Sequence, residues 1–237
     1  VRARARLVGP IDHLALEDLA VDRGGSGPVQ VTTRGRIGRI PLAEDEPLED
    51  MDFTFSIQAE NSRILREFYE IPLGELGRVD LSGRISGSSR RFKLQDVELR
   101  TRTTEGLETR ATGGIDFMPR AEGGVLGDIG FKLHFSCPTL ASGEPLLGLA
   151  IMRNLGPIRG GADVTGTTEE LRFENIMVTG GQPERLYTEW QGRVNSVPLT
   201  ANSVSSGHET HGSIYAGSSK DFAALFGITL PDIGPVR

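Results

Sequence analysis

The chain has 237 residues, of which 37% are hydrophobic and 24% are charged, and it contains 31 glycines but only 6% aromatic residues. These values exclude a disordered tail and a membrane span, and they favour many short strands and turns over a helical bundle. The net charge of −6 provides no excess of positive charge for nucleic acid, so we expect no nucleic-acid partner.

Four strands are predicted in the first part of the chain. In residues 1–7 apolar side chains alternate with arginines, and this period of two is typical of a strand with one apolar and one charged face. Similar patterns predict strands over 13–22, 29–37 and 53–57. Glycine- and proline-rich turns separate them.

A short helix is predicted after the fourth strand, because the apolar period there changes to a helical one. Asn61 can cap a helix whose apolar face spans 64–69, and Ser219 can cap one whose apolar face spans 222–226. Residues 146–151 carry a less regular version of the same pattern between these two.

The order of four strands and a helix occurs three times. Gly9, Gly87 and Gly166 occupy matching places in it, and the two intervals between them differ by a single position. Self-similarity at a fixed period indicates a repeat protein. The chain opens in the middle of a repeat, so we expect an internal fragment of a longer protein. The predicted repeats are 1–78, 79–157 and 158–237, and the last residues begin a fourth.

The second strand of each repeat contains a change of phase in its apolar pattern, around Asp18, Asp96 and Asn175. A regular strand would turn the later residues to the wrong face, whereas a β-bulge restores them. Cation binding by these side chains is the alternative. The bulge is favoured because one of the three is an asparagine and no second ligand recurs at a matched spacing.

A single unit with one apolar face cannot bury that face by itself, whereas stacked units can. We therefore predict one apolar face that runs along the whole array. Twelve strands about 4.8 Å apart would make a sheet roughly 55 Å wide. Such a sheet either rolls into a filled core or leaves an open trough, for which lipid acyl chains are the natural occupant. The candidate lining residues are Leu14, Leu16, Val31, Phe53, Phe55, Ile57, Leu81, Ile85, Phe92, Leu94, Ile115, Phe131, Leu133, Phe135, Val164, Leu171, Phe173 and Ile214.

A family resemblance supports the trough. The run Asp52-Phe-Thr-Phe-Ser-Ile is followed by Ile71-Pro-Leu-Gly-Glu-Leu-Gly-Arg-Val-Asp-Leu-Ser-Gly, and the chain closes on Phe226-Gly-Ile-Thr-Leu-Pro-Asp-Ile-Gly-Pro-Val-Arg. With these motifs the whole chain resembles, once per repeat, the AsmA-like family of bridge-like lipid transfer proteins of Gram-negative bacteria. The middle copy, Met152-Arg-Asn-Leu-Gly-Pro, departs from the pattern because it lacks the Leu-Pro pair.

The resemblance implies a mainly β fold with short helices: an elongated, strongly curved antiparallel sheet that forms one continuous taco-like groove. Each of the three repeats, which are nearly equal in length, would contribute about four strands and a short helix. The implied function is to hold or conduct phospholipid acyl chains between inner and outer membranes, in the periplasm, tethered to the inner membrane by a segment absent from this fragment. The alternative is a periplasmic scaffold or outer-membrane assembly factor with a closed β core and no lipid.

No motif predicts an enzyme, a metal or a cofactor, since the sequence has no phosphate loop, nucleophile elbow or zinc-type His-Glu-x-x-His. His208 and His211 lie in a Ser/Gly-rich segment that we interpret as a solvated loop; on a strand they would point to opposite faces. The acidic run 44–52 is likewise interpreted as a loop, with a weak Ca²⁺ or partner site as the alternative.

Three further features have structural interpretations. Cys137 is expected to be a buried structural thiol, and one cysteine excludes both an internal disulfide and a cysteine-rich metal site. Trp190 is expected in the core. The arginines within 1–7 are expected on the polar face of their strand, with contact to lipid headgroups as the alternative.

Overall fold

The computed structural model describes residues 1–10, 13–23, 27–41, 43, 46–64, 76–119, 125–147, 155–198, 205–225 and 228–236. Within these ranges the protein is mainly β, with few short helices. The strands are β1 (Arg2–Val8), β2 (Leu14–Arg23), β3 (Val29–Ile40), β4 (Glu49–Ala59), β5 (Arg78–Gly87), β6 (Phe92–Arg102), β7 (Glu108–Pro119), β8 (Val125–Cys137), β9 (Ile158–Thr167), β10 (Glu170–Gln182), β11 (Leu186–Pro198) and β12 (Ser206–Ala216).

All twelve strands belong to one sheet, in which each strand pairs antiparallel with the next along the chain. β1 and β12 lie at the two edges and do not pair with each other, so the curved sheet is unclosed. The predicted mainly β class with antiparallel strands is thereby confirmed. A meander of this kind needs only short connections between neighbouring strands.

The three predicted bulges are confirmed by backbone geometry and register. Asp18, Asp96 and Asn175 each have a φ of 51°, which aspartate and asparagine tolerate better than most residues with a Cβ atom. At Asp96, Leu94 and Val97 are three residues apart on β6, whereas their partners Ile115 and Gly113 are only two residues apart on β7. The extra residue keeps the apolar side chains before and after it on one face.

Helical residues follow β4, β8 and β12. They form a turn over 62–64, helix α1 (Leu140–Leu147) and helix α2 (Ser219–Leu225). Asn61 caps the first turn as predicted, because its Oδ1 accepts the backbone N–H of Arg63 at 2.8 Å. The predicted helical residues 65–69, 148–151 and 226 lie outside the described residues.

The predicted cap of α2 is wrong by one residue. The hydroxyl of Ser218 accepts the backbone N–H of Asp221 at 3.1 Å, so Ser218 is the N-cap. Ser219 is instead the first helical residue and is buried. Its hydroxyl donates to the carbonyl of Pro231 and accepts the N–H of Ile233, which fastens the segment after the helix to its start.

Two buried clusters lie at one end of the sheet, the end where the helical segments follow the strands. One is formed by Val29, Ala59 and Val79, against which Ile64 of the first helical turn packs. The other joins the start of α1 to the ends of β8 and β9, and its members are Leu107, Phe135, Cys137, Leu140, Leu155 and Ile158. Helical cover is therefore concentrated at this one end of the sheet.

Candidate functional site: an apolar sheet face

The candidate site is one continuous apolar face of the sheet. Residues directly opposite each other on paired strands point to the same side, so the register defines rows across the sheet. One row crosses seven strands through Val31, Ile57, Leu81, Leu99, Ala111, Leu133 and Ala162. A second row contains Phe53, Ile85, Leu94, Ile115, Ile129, Gly166 and Leu171.

The remaining candidate residues lie on the same face. Phe131 pairs with Val164, which pairs with Phe173. Leu16 stands directly opposite Ile37 and Ile214 directly opposite Thr188, and both of these partners point to the same face. Alternation along their strands adds Leu14, Phe55, Phe92 and Phe135. All eighteen side chains named from the sequence are thus brought together on one side of the sheet.

Most of this face is only half covered. Sixteen of the eighteen candidate side chains are half-buried, and only Phe135 and Val164 are buried, at 9% and 8% exposure. A closed sandwich core would bury most of such side chains completely. The described residues therefore do not close this face with a second layer.

Several aromatic rings on the face lie over glycines of the neighbouring strand. A Cβ atom added to Gly160 would come within 2.5 Å of the Phe135 ring, and one added to Gly212 within 2.4 Å of the Trp190 ring. Gly35 beside Phe53 and Gly83 beside Phe55 show the same arrangement. The rings occupy space that a side chain would otherwise fill, which makes the face flatter. We did not expect these pairs from the sequence.

Trp190 is 40% exposed on the apolar face, so the prediction that it lies in the core is wrong. It stands between Val178 on β10 and Gly212 on β12. Among the described residues, strand β12 pairs only with β11 apart from the bridge Ala216–Val236, so few of these residues are available to cover this ring. Its position makes Trp190 a reporter for anything that binds the face.

The opposite face of the sheet is charged. Its basic and acidic side chains form exposed ion pairs across neighbouring strands, each worth little for stability on its own. Examples are Arg6 with Glu17 at 2.8 Å, Lys93 with Asp116 at 2.7 Å, Lys132 with Asp163 at 2.9 Å and Arg193 with Glu209 at 2.6 Å. Open depressions of about 680, 560 and 800 Å³ are lined mainly by residues of this charged face.

Asp52 and Arg84 form the best-defined pair on the charged face. Two guanidinium nitrogens of Arg84 donate to the two carboxylate oxygens of Asp52, at 2.7 and 2.8 Å. These hydrogen bonds lower the pKa of Asp52 below its ordinary value. Glu49, Asp50 and Asp52 lie on strand β4, and Glu49 and Asp52 are in ion pairs, so the interpretation of the acidic run 44–52 as a loop is wrong for this end of the run. Glu44 and Asp45 lie outside the described residues.

Other predictions have mixed outcomes. The predicted loop at His208 and His211 is wrong, because both lie on strand β12, and their partners Val194 and Gln191 place them on opposite faces. Cys137 is buried, as predicted, and burial raises the pKa of its thiol. Arg6 lies on the charged face beside Glu17.

The described residues contain neither a cluster of metal ligands nor a membrane-spanning helix. Among them, no group of three or more His, Cys, Asp or Glu side chains is close enough together to hold a metal ion. No helix in the described part of the chain is both long and apolar enough to cross a membrane.

Comparison of this chain with protein-family models, with curated proteins and with solved structures finds no match. The resemblance to AsmA-like proteins therefore stays a prediction from the sequence motifs. The two faces of the sheet are the features from which a function can be inferred.

Proposed function

We propose that this chain is a non-enzymatic lipid-binding module whose apolar face holds or conducts phospholipid acyl chains. The observation that carries the proposal is the half-buried apolar face, which runs across the sheet from β2 to β12 while the opposite face is charged. In line with the resemblance, its place would be the periplasm, on a path between the inner and outer membranes. Segments outside this chain would make the membrane contacts.

The proposal includes a groove built from three repeats of nearly equal length. Of the four described non-glycine residues with a positive φ, Asp18, Asp96 and Asn175 are evenly spaced along the chain to within one position, which supports this period, and Asp50 lies outside it. The pair Ala59–Val79 between β4 and β5 has a counterpart in the isolated bridge Ala216–Val236. Equivalent backbone features at equivalent positions favour one structural unit used repeatedly.

Transfer energetics explain why such a face would be useful. Each methylene moved from an apolar environment into water costs about 0.8 kcal/mol. A phospholipid with some 30 methylenes then faces a barrier on the order of 20 kcal/mol when it leaves a membrane through water. An apolar face of this kind keeps most of each chain out of water, because apolar side chains of neighbouring strands stand opposite one another in rows across the sheet.

The experiment compares two carboxylates at adjacent positions of β4. Phe55→Asp places a charge on the apolar face, whereas Thr54→Asp, the matched control, places it on the charged face between Arg34 and Arg84. The purified proteins are analysed by native mass spectrometry for bound phospholipid. We expect lipid on the wild type and on Thr54→Asp, and at least about tenfold less on Phe55→Asp, since burying an unpaired charge is costly.

Circular dichroism establishes whether Phe55→Asp is folded. Folded Phe55→Asp that retains wild-type lipid would contradict the proposal, as would a wild type without lipid after incubation with phospholipid. The second of these results would favour the scaffold with no lipid. If Phe55→Asp does not fold, Phe53→Asn replaces it as a milder change on the same face.

A further inference from the structure

A second surface feature lies on the charged face, where five arginines surround the depression of about 800 Å³. We call this group the arginine patch, and it is contributed by strands β5, β6, β7 and β9. Its members are Arg78, Arg100, Arg102, Arg110 and Arg159. The carboxylates nearest to it are those of Asp80, Glu98 and Glu108, so positive charge is in excess here although the whole chain is acidic.

The patch breaks the charge pattern of the rest of this face. Elsewhere among the described residues, basic side chains stand directly opposite carboxylates or neutral residues. The register pairs with carboxylates are Arg2–Asp22, Arg6–Glu17, Arg36–Asp52, Arg39–Glu49, Lys93–Asp116, Lys132–Asp163 and Arg193–Glu209. Within the patch, Arg100 and Arg102 do have carboxylates opposite them on one side, Asp80 and Glu108, but Arg78 also stands directly opposite Arg102 and Arg100 directly opposite Arg110. Like charges directly opposite are destabilising, so this arrangement needs a reason other than stability.

The carboxylates near the patch only partly neutralise it. Glu98 is shared, since it accepts from Arg100 at 2.8 Å and from Arg110 at 2.7 Å. Arg78 has only Asp80 of its own strand, at 3.3 Å. Arg159 makes no ion pair with any described residue. The paired arginine side chains are more than half exposed, at 56–72%, so these ion pairs are weak and exchangeable for a ligand.

We propose that the arginine patch binds an anion with several phosphate groups, carried either by one soluble molecule or by neighbouring lipid headgroups. Phosphate is favoured over carboxylate because each phosphate offers three acceptor oxygens and up to two charges. One phosphate can thus bridge two arginines on neighbouring strands, whose Cβ atoms stand about 5 Å apart. All five patch residues are arginine, whose planar fork matches phosphate oxygens in pairs.

The extent of the patch indicates more than one phosphate. β5 and β9 are four strand spacings apart, which is about 19 Å. The pairs Arg78–Arg102 and Arg100–Arg110 are separated by two residues along the strand, or about 7 Å. A single phosphate does not span these distances. Because the patch lies on the face opposite the acyl-chain candidates, this proposal stands independently of the proposed lipid function.

The test measures binding of two probes to the whole chain. Tripolyphosphate represents a soluble ligand and is titrated calorimetrically at low salt. Vesicles of phosphatidylcholine and phosphatidylglycerol in a two-to-one ratio represent headgroups and are tested by flotation. The proposal is supported if the wild type binds either probe and Arg100→Gln/Arg110→Gln binds that probe at least about tenfold more weakly. The probe that binds identifies the source of the phosphates. Arg193→Gln, the matched control elsewhere on this face, is expected to bind like the wild type.

Three results would overturn the inference. They are no binding of either probe at millimolar concentration, an equal loss in the Arg193→Gln control, and tighter binding of polyglutamate than of tripolyphosphate. Arg159→Gln provides a variant that leaves every ion pair among described residues intact, and it is expected to weaken binding about threefold or more. Circular dichroism establishes that Arg100→Gln/Arg110→Gln is folded, since the double substitution removes both ion pairs of Glu98 together with the like-charge pair.

Discussion

Deleting single residues tests whether the bulges set the direction of the side chains. Asp96 is the extra residue of its bulge, so β6 without it becomes a regular strand. Val97 and Leu99 then stay on the apolar face by simple alternation. In contrast, Thr112 lies in a regular part of β7, which is paired on both sides. Its deletion turns Ile115 and Phe117 toward the charged face.

The two deletions should therefore have very different costs. Deletion of Asp96 removes a left-handed residue that costs about 1 kcal/mol and loses some local twist, so the free energy of unfolding should change by about 1 kcal/mol or less. Deletion of Thr112 removes two half-buried apolar side chains from their face, at roughly 1 kcal/mol each, and turns the Asp116 carboxylate onto it. We expect a loss of about 3 kcal/mol or more.

Urea denaturation followed by circular dichroism measures both changes. The m-value reports whether the same surface is exposed on unfolding, so that the free energies can be compared. An equal loss of stability in both variants, or a greater loss on deleting Asp96, would refute the assignment of Asp96 as the extra residue.

Two further predictions concern the two faces. Gly160→Val should lower the free energy of unfolding by about 2 kcal/mol because its Cβ atom would meet the Phe135 ring. Gly130→Ala, which has open space at this position, should change the stability by less than about 0.5 kcal/mol, and equal effects on thermal unfolding would contradict the ring-over-glycine arrangement. The pKa of Asp52 is lowered by its hydrogen bonds to Arg84, so its stabilising contribution is present above the ordinary aspartate pKa and is lost as the pH falls through the lowered value. Asp52→Asn should therefore flatten the decline of stability below about pH 4, and an unchanged acid profile would argue against this pair.

Local patterns predicted the strands and bulges well. A bulge changes the phase of apolar residues within one strand, and the sequence around Asp96 shows this change directly. The cap of α2 was missed by one residue because Ser218 and Ser219 are adjacent and both have a hydroxyl. Only the fold shows that Ser219 is occupied with the segment around Ile233.

Features that depend on cross-strand pairing were not predictable in the same way. The position of Phe135 over Gly160 and the opposition of Arg100 and Arg110 depend on which residues of two strands stand side by side. Trp190 was misjudged because a period of two gives the face of a residue but not whether a second layer covers it. Coverage is a property of the whole fold.

The most direct test of the central claim uses the fluorescence of Trp190, the only tryptophan in the chain. Phospholipid brominated in the middle of its acyl chains is added to the folded protein. If acyl chains lie on the apolar face, Trp190 emission should shift to shorter wavelength with unbrominated lipid and be quenched by the brominated lipid. As a control, Trp190→Phe/Lys132→Trp places the only tryptophan on the charged face, where Lys132 is 70% exposed, and its emission should stay unchanged. Unquenched Trp190 in the folded wild type, or equal quenching of the control, would contradict the account.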